Sequence, residues 1–134
     1  MKRLITLILC LSSFAAFAHS RADYESAMLK FRSFYNSNNV QGIRSLFSDS
    51  WGKSKQTLWT KERLRQMKSG YGELISCSYV TIDTVSDNNR LVLFKTVFEK
   101  RTFMTGLDLD KTKKIGTFQL NASSPFIRSL LQEP

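Results

Sequence analysis

The sequence predicts an α+β fold in which N-terminal helices pack on a curved, mainly antiparallel four-stranded sheet that gives a cone-shaped domain. Two observations lead to this prediction. Apolar residues recur at three- and four-residue spacing early in the chain, whereas β-branched residues become frequent from residue 73 onward. Helices and strands are therefore segregated along the chain, which is typical of helices that cover one face of a sheet.

Three helices are predicted in the N-terminal half. The first covers residues 23–35 and the second, which is shorter, residues 41–47. Thr60 is a candidate N-cap for the third helix, which is predicted to run through Met67 and to end at Ser69-Gly70. Between the second and third helices, residues 48–56 are predicted to form a polar loop. The apolar stripe of the first helix consists of Tyr24, Ala27, Met28, Phe31, Phe34 and Tyr35.

The C-terminal half of the sequence predicts a meander of strands separated by short turns. In the first strand the apolar residues Cys77 and Tyr79 occupy odd positions, whereas Val80 and Ile82 occupy even positions. This change of face indicates a β-bulge near Tyr79. The second strand is apolar on both faces in part, so it is predicted to be central. The predicted strands cover residues 73–85, 91–99, 102–109 and 114–120.

A bent sheet wrapped around the long first helix is expected to leave a conical hollow between the two. This hollow is the first candidate for a ligand site, because small-molecule sites are concave and mostly apolar. After the sheet, residues 126–131 are predicted to form a short helix or an apolar tail. The candidate lining of the hollow is Tyr24, Met28, Phe31, Tyr35 and Tyr79.

Residues 1–18 have the pattern of a cleaved secretory signal peptide. Lys2 and Arg3 precede an apolar run, and small residues at Ala16 and Ala18 fit a signal-peptidase site. The run is shorter than the roughly 20 residues of a spanning helix, although an uncleaved anchor is the alternative. Cleavage would leave residues 19–134 as one periplasmic or secreted domain and lower the formal net charge from +9 to +7.

The mature chain offers few residues for metal or nucleophilic chemistry. Cys77 is its single cysteine, which excludes an internal disulfide, and its apolar surroundings predict burial. His19 is the single histidine of the sequence and would be the mature N-terminal residue. No metal site and no cofactor is therefore predicted, and a Ser-His-Asp or Cys-His arrangement lacks an internal base.

Several segments together resemble a known family. They are the amphipathic opening at 24–35, the segment 40–47 followed by Trp51, the Gly70-Tyr71-Gly72 sequence, and residues 106–110 leading into 114–118. This order is similar to that of the nuclear transport factor 2-like superfamily of cone-shaped α+β domains, especially small exported bacterial members of unknown function. The superfamily contains isomerases, dehydratases, ligand-binding modules and secretion-system assembly domains, so the resemblance alone does not define a chemistry.

The resemblance implies one enzymatic alternative. Cavity isomerases of this superfamily use a carboxylate with a tyrosine on strands that face the cone. Tyr79 and Asp83 lie four residues apart on one predicted strand and could share a face, where burial would make Asp83 a usable base. The structural alternative is that Tyr79 belongs to the core and that Asp83 lies at a solvated strand end.

Basic residues are concentrated in the predicted loop and third helix, where they alternate with Trp51 and Trp59. Such a mixture can bind nucleic acid, but export argues against that partner. An anionic lipid surface or an acidic envelope protein suits the location better. The structural alternative is a solvated basic face, with both tryptophans anchoring the loop to the core. The candidates for contact with an anionic partner are Lys61, Arg63, Arg65 and Lys68.

Three functional hypotheses follow from the sequence. The favoured one is a non-catalytic exported domain that binds a small apolar ligand in the cone or a protein partner on the sheet. The second is a small cavity enzyme of isomerase or dehydratase type that uses Asp83 with Tyr79. The third is an assembly component of the cell envelope. A filled cone would favour an interaction domain, and an open cone with a buried acid would favour an enzyme.

Overall fold

A computed structural model describes residues 19–85 and 89–122. The predicted signal peptide at residues 1–18 and the predicted apolar tail at 126–131 lie outside these described residues. Within them, α-helices precede a single sheet, and the sheet is curled without closing. The α+β fold predicted from the sequence is therefore confirmed.

The N-terminal half of the described chain forms helices, three of which begin at a residue whose side chain caps the helix: Ser20, Asn39 and Thr60. The Ser20 hydroxyl accepts a hydrogen bond from the Asp23 N–H, and the Asp23 carboxylate accepts one from the Ser20 N–H, which is a capping box. Thr60 caps the fourth helix as predicted, by accepting from the Arg63 N–H. The helices are α1 (Arg21–Asn36), α2 (Val40–Leu46), α3 (Ser54–Leu58) and α4 (Lys61–Tyr71).

Two local predictions were wrong. The expected polar loop contains a 3-10 turn at Asp49–Trp51 and the short helix α3. The expected end of α4 after Met67, at Ser69-Gly70, is also incorrect, because the helix continues to Tyr71 and is capped by Gly72, whose φ is +80°. Glycine suits this conformation, and a Cβ on Gly72 would lie 2.7 Å from the Glu99 Cβ.

The sheet is an antiparallel meander in which consecutive strands are neighbours. The predicted bulge in β1 is confirmed, because the register passes from Tyr79 opposite Phe94 to Thr81 opposite Leu93 and leaves Val80 as the extra residue. β2 lies between β1 and β3, as its apolar character on both faces predicts. The strands are β1 (Leu74–Val85), β2 (Asn89–Phe98), β3 (Thr102–Leu109) and β4 (Ile115–Gln119).

The two faces of the sheet carry separate apolar clusters. The inner face, which includes Val92 and Phe94, packs against the buried stripe of α1 in the main core. The outer face carries a smaller cluster around Leu91, Leu93 and Met104. No helix among the described residues is both long and apolar enough to cross a bilayer.

Candidate functional site

The space between α1 and the inner face of the sheet is filled by aromatic side chains. Phe31 has no exposed surface, and its ring centroid lies 5.3 Å from that of Phe118, 5.6 Å from Trp59 and 6.0 Å from Tyr35. Met28 is equally buried. Four cavities lined by described residues involve none of the five residues expected to line a hollow. These side chains therefore have core contacts.

Two tyrosine hydroxyls are hydrogen-bonded at the edges of this core. The Tyr24 hydroxyl donates to the Asp108 Oδ1 at 3.0 Å, and burial together with that carboxylate raises the Tyr24 pKa to about 12. The Tyr35 hydroxyl donates to the Gly72 carbonyl oxygen at 2.9 Å, and its pKa is raised chiefly by burial. Both phenols remain protonated at neutral pH, so they act as donors that fix α1 to the sheet and to the end of α4.

Tyr79 and Asp83 do not share a face of the sheet. Directly opposed residues of antiparallel strands lie on the same face, and Tyr79 is opposite Phe94 whereas Asp83 is opposite Leu91. Phe94 belongs to the inner core and Leu91 to the outer cluster. The bulge at Val80 reverses the alternation of side chains, so the prediction that a spacing of four unites the two residues was wrong.

The position of Tyr79 is accounted for by packing contacts and requires no catalytic role. Its half-buried ring meets the Phe94 ring edge-on, at 5.9 Å between centroids. The Arg21 guanidinium carbon lies 4.4 Å from the Tyr79 ring centroid, within the range of a cation–π contact. The contacts of Tyr79 are those of a residue at the margin of the core.

Cys77 is half-buried against the inner core, so its side chain is less enclosed than the sequence predicts. Burial raises the pKa of its thiol to about 11, although the charge of Arg32 acts in the opposite direction. The thiolate is the nucleophilic form of cysteine. A thiol that stays protonated at neutral pH is poorly suited to nucleophilic catalysis.

Three of the four predicted anion-contacting residues line one concave site. Lys61, Arg65 and Lys68 project from α4 around a cavity of about 540 Å³, whose apolar lining is Val40 and Leu64. We call this site the cationic groove. Helical spacing explains the arrangement, since residues three and four apart lie on the same face. The sequence did not indicate that Val40, from another helix, would form part of the site.

Arg63, the fourth predicted residue, lies elsewhere. At about 100° per residue it is on the side of α4 roughly opposite Lys61 and Arg65. There it lines a different cavity, of about 410 Å³, together with Leu58 and Trp59. The structure therefore separates the four basic residues into a group of three and a single arginine.

Lys68 differs from the exposed lysine that the sequence predicts. Its side chain is only 17% exposed, and its Nζ forms an ion pair with the Glu73 Oε1 at 3.1 Å. The same Nζ donates to the Asn36 carbonyl oxygen at 3.1 Å and to the Asn38 Oδ1 at 3.0 Å. It also lies 5.8 Å from the Tyr35 ring centroid. Lys68 therefore connects α4 to the end of α1 as well as lining the groove.

Arg65 and Lys61 are the more accessible cations of the groove. Arg65 forms an ion pair with Glu62 one turn earlier, and this contact lowers the pKa of the Glu62 carboxyl. Both side chains of the pair are largely exposed, at 76% for Arg65 and 59% for Glu62, so the pair is weak and can exchange partners.

The two tryptophans are held by the core, as the structural alternative predicted. The Trp51 indole Nε1 donates to the carbonyl oxygens of Ile115 and Gly116, at 3.1 and 3.2 Å. Trp59 is 4% exposed, and its ring packs against Phe31 and Phe47. Trp59 is therefore too enclosed for a nucleic-acid base to stack on its ring.

The described residues contain no group of three or more His, Cys, Asp and Glu side chains able to hold a metal ion. Comparison of the chain with known protein families, with curated proteins and with solved structures gives no match. A function for this chain must therefore be inferred from the contacts, charges and cavities described above.

Proposed function

We propose that this protein is an exported, non-catalytic interaction domain whose cationic groove receives an acidic segment of an envelope protein. The observation that carries the proposal is the convergence of Lys61, Arg65 and Lys68 on one cavity with an apolar lining. Carboxylates of a partner would pair with the cations, while its apolar side chains would contact Val40 and Leu64.

Charge complementarity favours an acidic partner. The exported chain would keep a formal net charge of +7 out of the +9 of the whole sequence, and this charge raises the encounter rate with any acidic surface. A second cavity of about 520 Å³, near the β3–β4 turn, is also lined by lysines. There Lys113 lies 3.3 Å from the Asp23 carboxylate. In the cationic groove Arg65 and Lys68 likewise pair with Glu62 and Glu73, so cations are partly neutralised at both sites.

The shape of the groove favours a protein segment over a lipid surface. A bilayer is flat on this scale and would contact cations on a convex or planar face. The groove is a concavity between α4 and the α1–α2 connection, in which Asn38 is held at a φ of +59°. A few extended residues of a partner fit such a site better than an array of headgroups does.

The enzymatic alternative receives no support from the arrangement of its candidate residues. Asp83 and Tyr79 lie on opposite faces of the sheet, and the space proposed as a substrate cavity contains packed rings. We place the chain in the nuclear transport factor 2-like superfamily as part of this proposal, which is supported by a curled sheet packed on a long first helix.

The proposal is tested by the affinity for a fluorescent octa-glutamate peptide, measured by anisotropy in 0.15 M salt. The variant K61E/R65E reverses two groove cations and leaves the structural Lys68 intact. The control K95E/K111E changes the net charge equally at two exposed positions outside the groove. We expect the groove variant to weaken binding at least about tenfold and the control less than threefold, because distant charges are screened beyond about 8 Å.

Equal losses in both variants would refute the groove as a specific site. Vesicles containing anionic phospholipid distinguish the other partner class in the same assay. If the protein binds the vesicles through Lys61 and Arg65 but does not bind the peptide, the partner is a lipid surface and the proposal of an acidic protein segment is wrong.

A further inference from the structure

The cavity on the other side of α4 has a different chemical character from the cationic groove. We call it the indole cleft, and it has a volume of about 410 Å³, within the range of small-molecule sites. Its apolar walls come from Leu58, Trp59, Met67 and Tyr71, and Arg63 supplies a cation at its margin. The cleft therefore combines an apolar interior with one positive charge.

Trp59, which lines this cleft, carries an unused hydrogen-bond donor. Among the described residues, its indole Nε1 is the buried side-chain nitrogen that lacks a hydrogen-bond partner. Buried polar groups are nearly always paired, because an unpaired one loses its hydration without compensation. The Phe31 and Phe47 rings that pack against the indole provide only carbon atoms, whereas the cleft that the Trp59 side chain lines is a space in which a ligand could supply the missing acceptor.

We infer that the indole cleft binds a small amphipathic carboxylate, such as a medium-chain fatty acid. The carboxylate would accept a hydrogen bond from the Trp59 Nε1 and pair with the Arg63 guanidinium. Its hydrocarbon portion would lie against Leu58, Met67 and Tyr71. This site is separate from the cationic groove, so the inference does not depend on the proposed function.

The two tryptophans provide a test with an internal control. In ¹⁵N-labelled protein, each indole N–H gives one cross-peak, assigned with the W51F and W59F variants. The Trp51 N–H already donates to two carbonyl oxygens. On titration with octanoate, we expect the Trp59 cross-peak to shift as its N–H gains an acceptor, whereas the Trp51 cross-peak stays in place.

Two further variants separate the charge contribution from the cavity itself. R63Q is expected to weaken octanoate binding about tenfold or more and to leave the binding of 1-octanol within twofold, since charge-assisted hydrogen bonds are about twice as strong as neutral ones. G70F is expected to abolish the binding of both probes. A Cβ at Gly70 meets no atom within 4 Å, so a ring there should enter the cleft without disturbing the fold.

Three outcomes would overturn the inference. The first is a Trp59 cross-peak that neither probe moves, and the second is an equal response of both indole cross-peaks. The third is a titration that G70F leaves unchanged. A response to 1-octanol as strong as that to octanoate would overturn the assignment of a carboxylate ligand.

Discussion

Replacing Lys68 with methionine removes one cation from α4 and keeps a long apolar side chain in its place. The substitution takes away two hydrogen bonds, to the Asn36 carbonyl oxygen and the Asn38 Oδ1, and the ion pair with Glu73. It also removes the cation beside the Tyr35 ring. The packing of the aliphatic stem is retained, so the measurement isolates the charged end of the side chain.

The expected loss is about 2 kcal/mol of the free energy of unfolding. Hydrogen bonds to charged groups contribute roughly 1.5–3 kcal/mol when enclosed, and a cation–π contact about 0.5–1 kcal/mol. These values are discounted because Glu73 is 48% exposed and its ion pair is screened by water. R65Q is the matched control, since it removes an exposed ion pair and is expected to cost less than about 1 kcal/mol.

Urea denaturation followed by circular dichroism measures both variants. With a slope of about 1–3 kcal/mol/M for a small domain, K68M should lower the midpoint by roughly 1 M. A K68M variant whose free energy of unfolding lies within about 0.5 kcal/mol of the wild-type value would refute the role of Lys68 as a link between α4 and α1.

Three further predictions concern packing and the thiol. G42A should lower the free energy of unfolding by about 1–3 kcal/mol, because the added Cβ would lie 2.5 Å from the Phe34 ring of α1. G70A should instead raise it by up to about 1 kcal/mol, because alanine favours the helix more than glycine does and its Cβ would enter open space. A thiol reagent should label native Cys77 slowly at pH 8, because folding raises the pKa of the thiol from 9.0 to about 11. The contribution of this thiol to the free energy of unfolding is therefore complete below pH 9 and is lost as the pH rises through 11. Y79A should lower the free energy of unfolding by about 2 kcal/mol, because the half-buried Tyr79 ring packs against Phe94, and a loss below about 0.5 kcal/mol would contradict a core role for the ring.

Local sequence patterns were sufficient for most of the secondary structure. The stripe of α1 appears in the order of its apolar residues, and Thr60 signals the start of α4 because its hydroxyl can satisfy a free N–H. The change of apolar phase after Tyr79 indicated the bulge. These features depend on neighbours within a few residues, which is why the sequence alone carries them.

The site depends on contacts that no local pattern contains. The change of apolar phase predicted the bulge, but a bulge also reverses the side-chain alternation of the residues that follow it. Asp83 therefore lies on the face opposite Tyr79, and the predicted pairing of the two was wrong. Lys68 has the same character as Lys61 in the sequence. Only the approach of the α1 C-terminus, 32 residues earlier in the chain, converts Lys68 into a structural side chain.

Mapping of the acidic peptide on the ¹⁵N-labelled protein tests the central claim most directly, namely that binding occurs at the surface of α4 and not in the interior. Addition of octa-glutamate should shift the backbone amides around Lys61, Arg65 and Val40 most strongly, with the inner face of the sheet unaffected. Shifts centred on Tyr79 and its inner-face neighbours, or distributed evenly over all basic surfaces, would contradict the account.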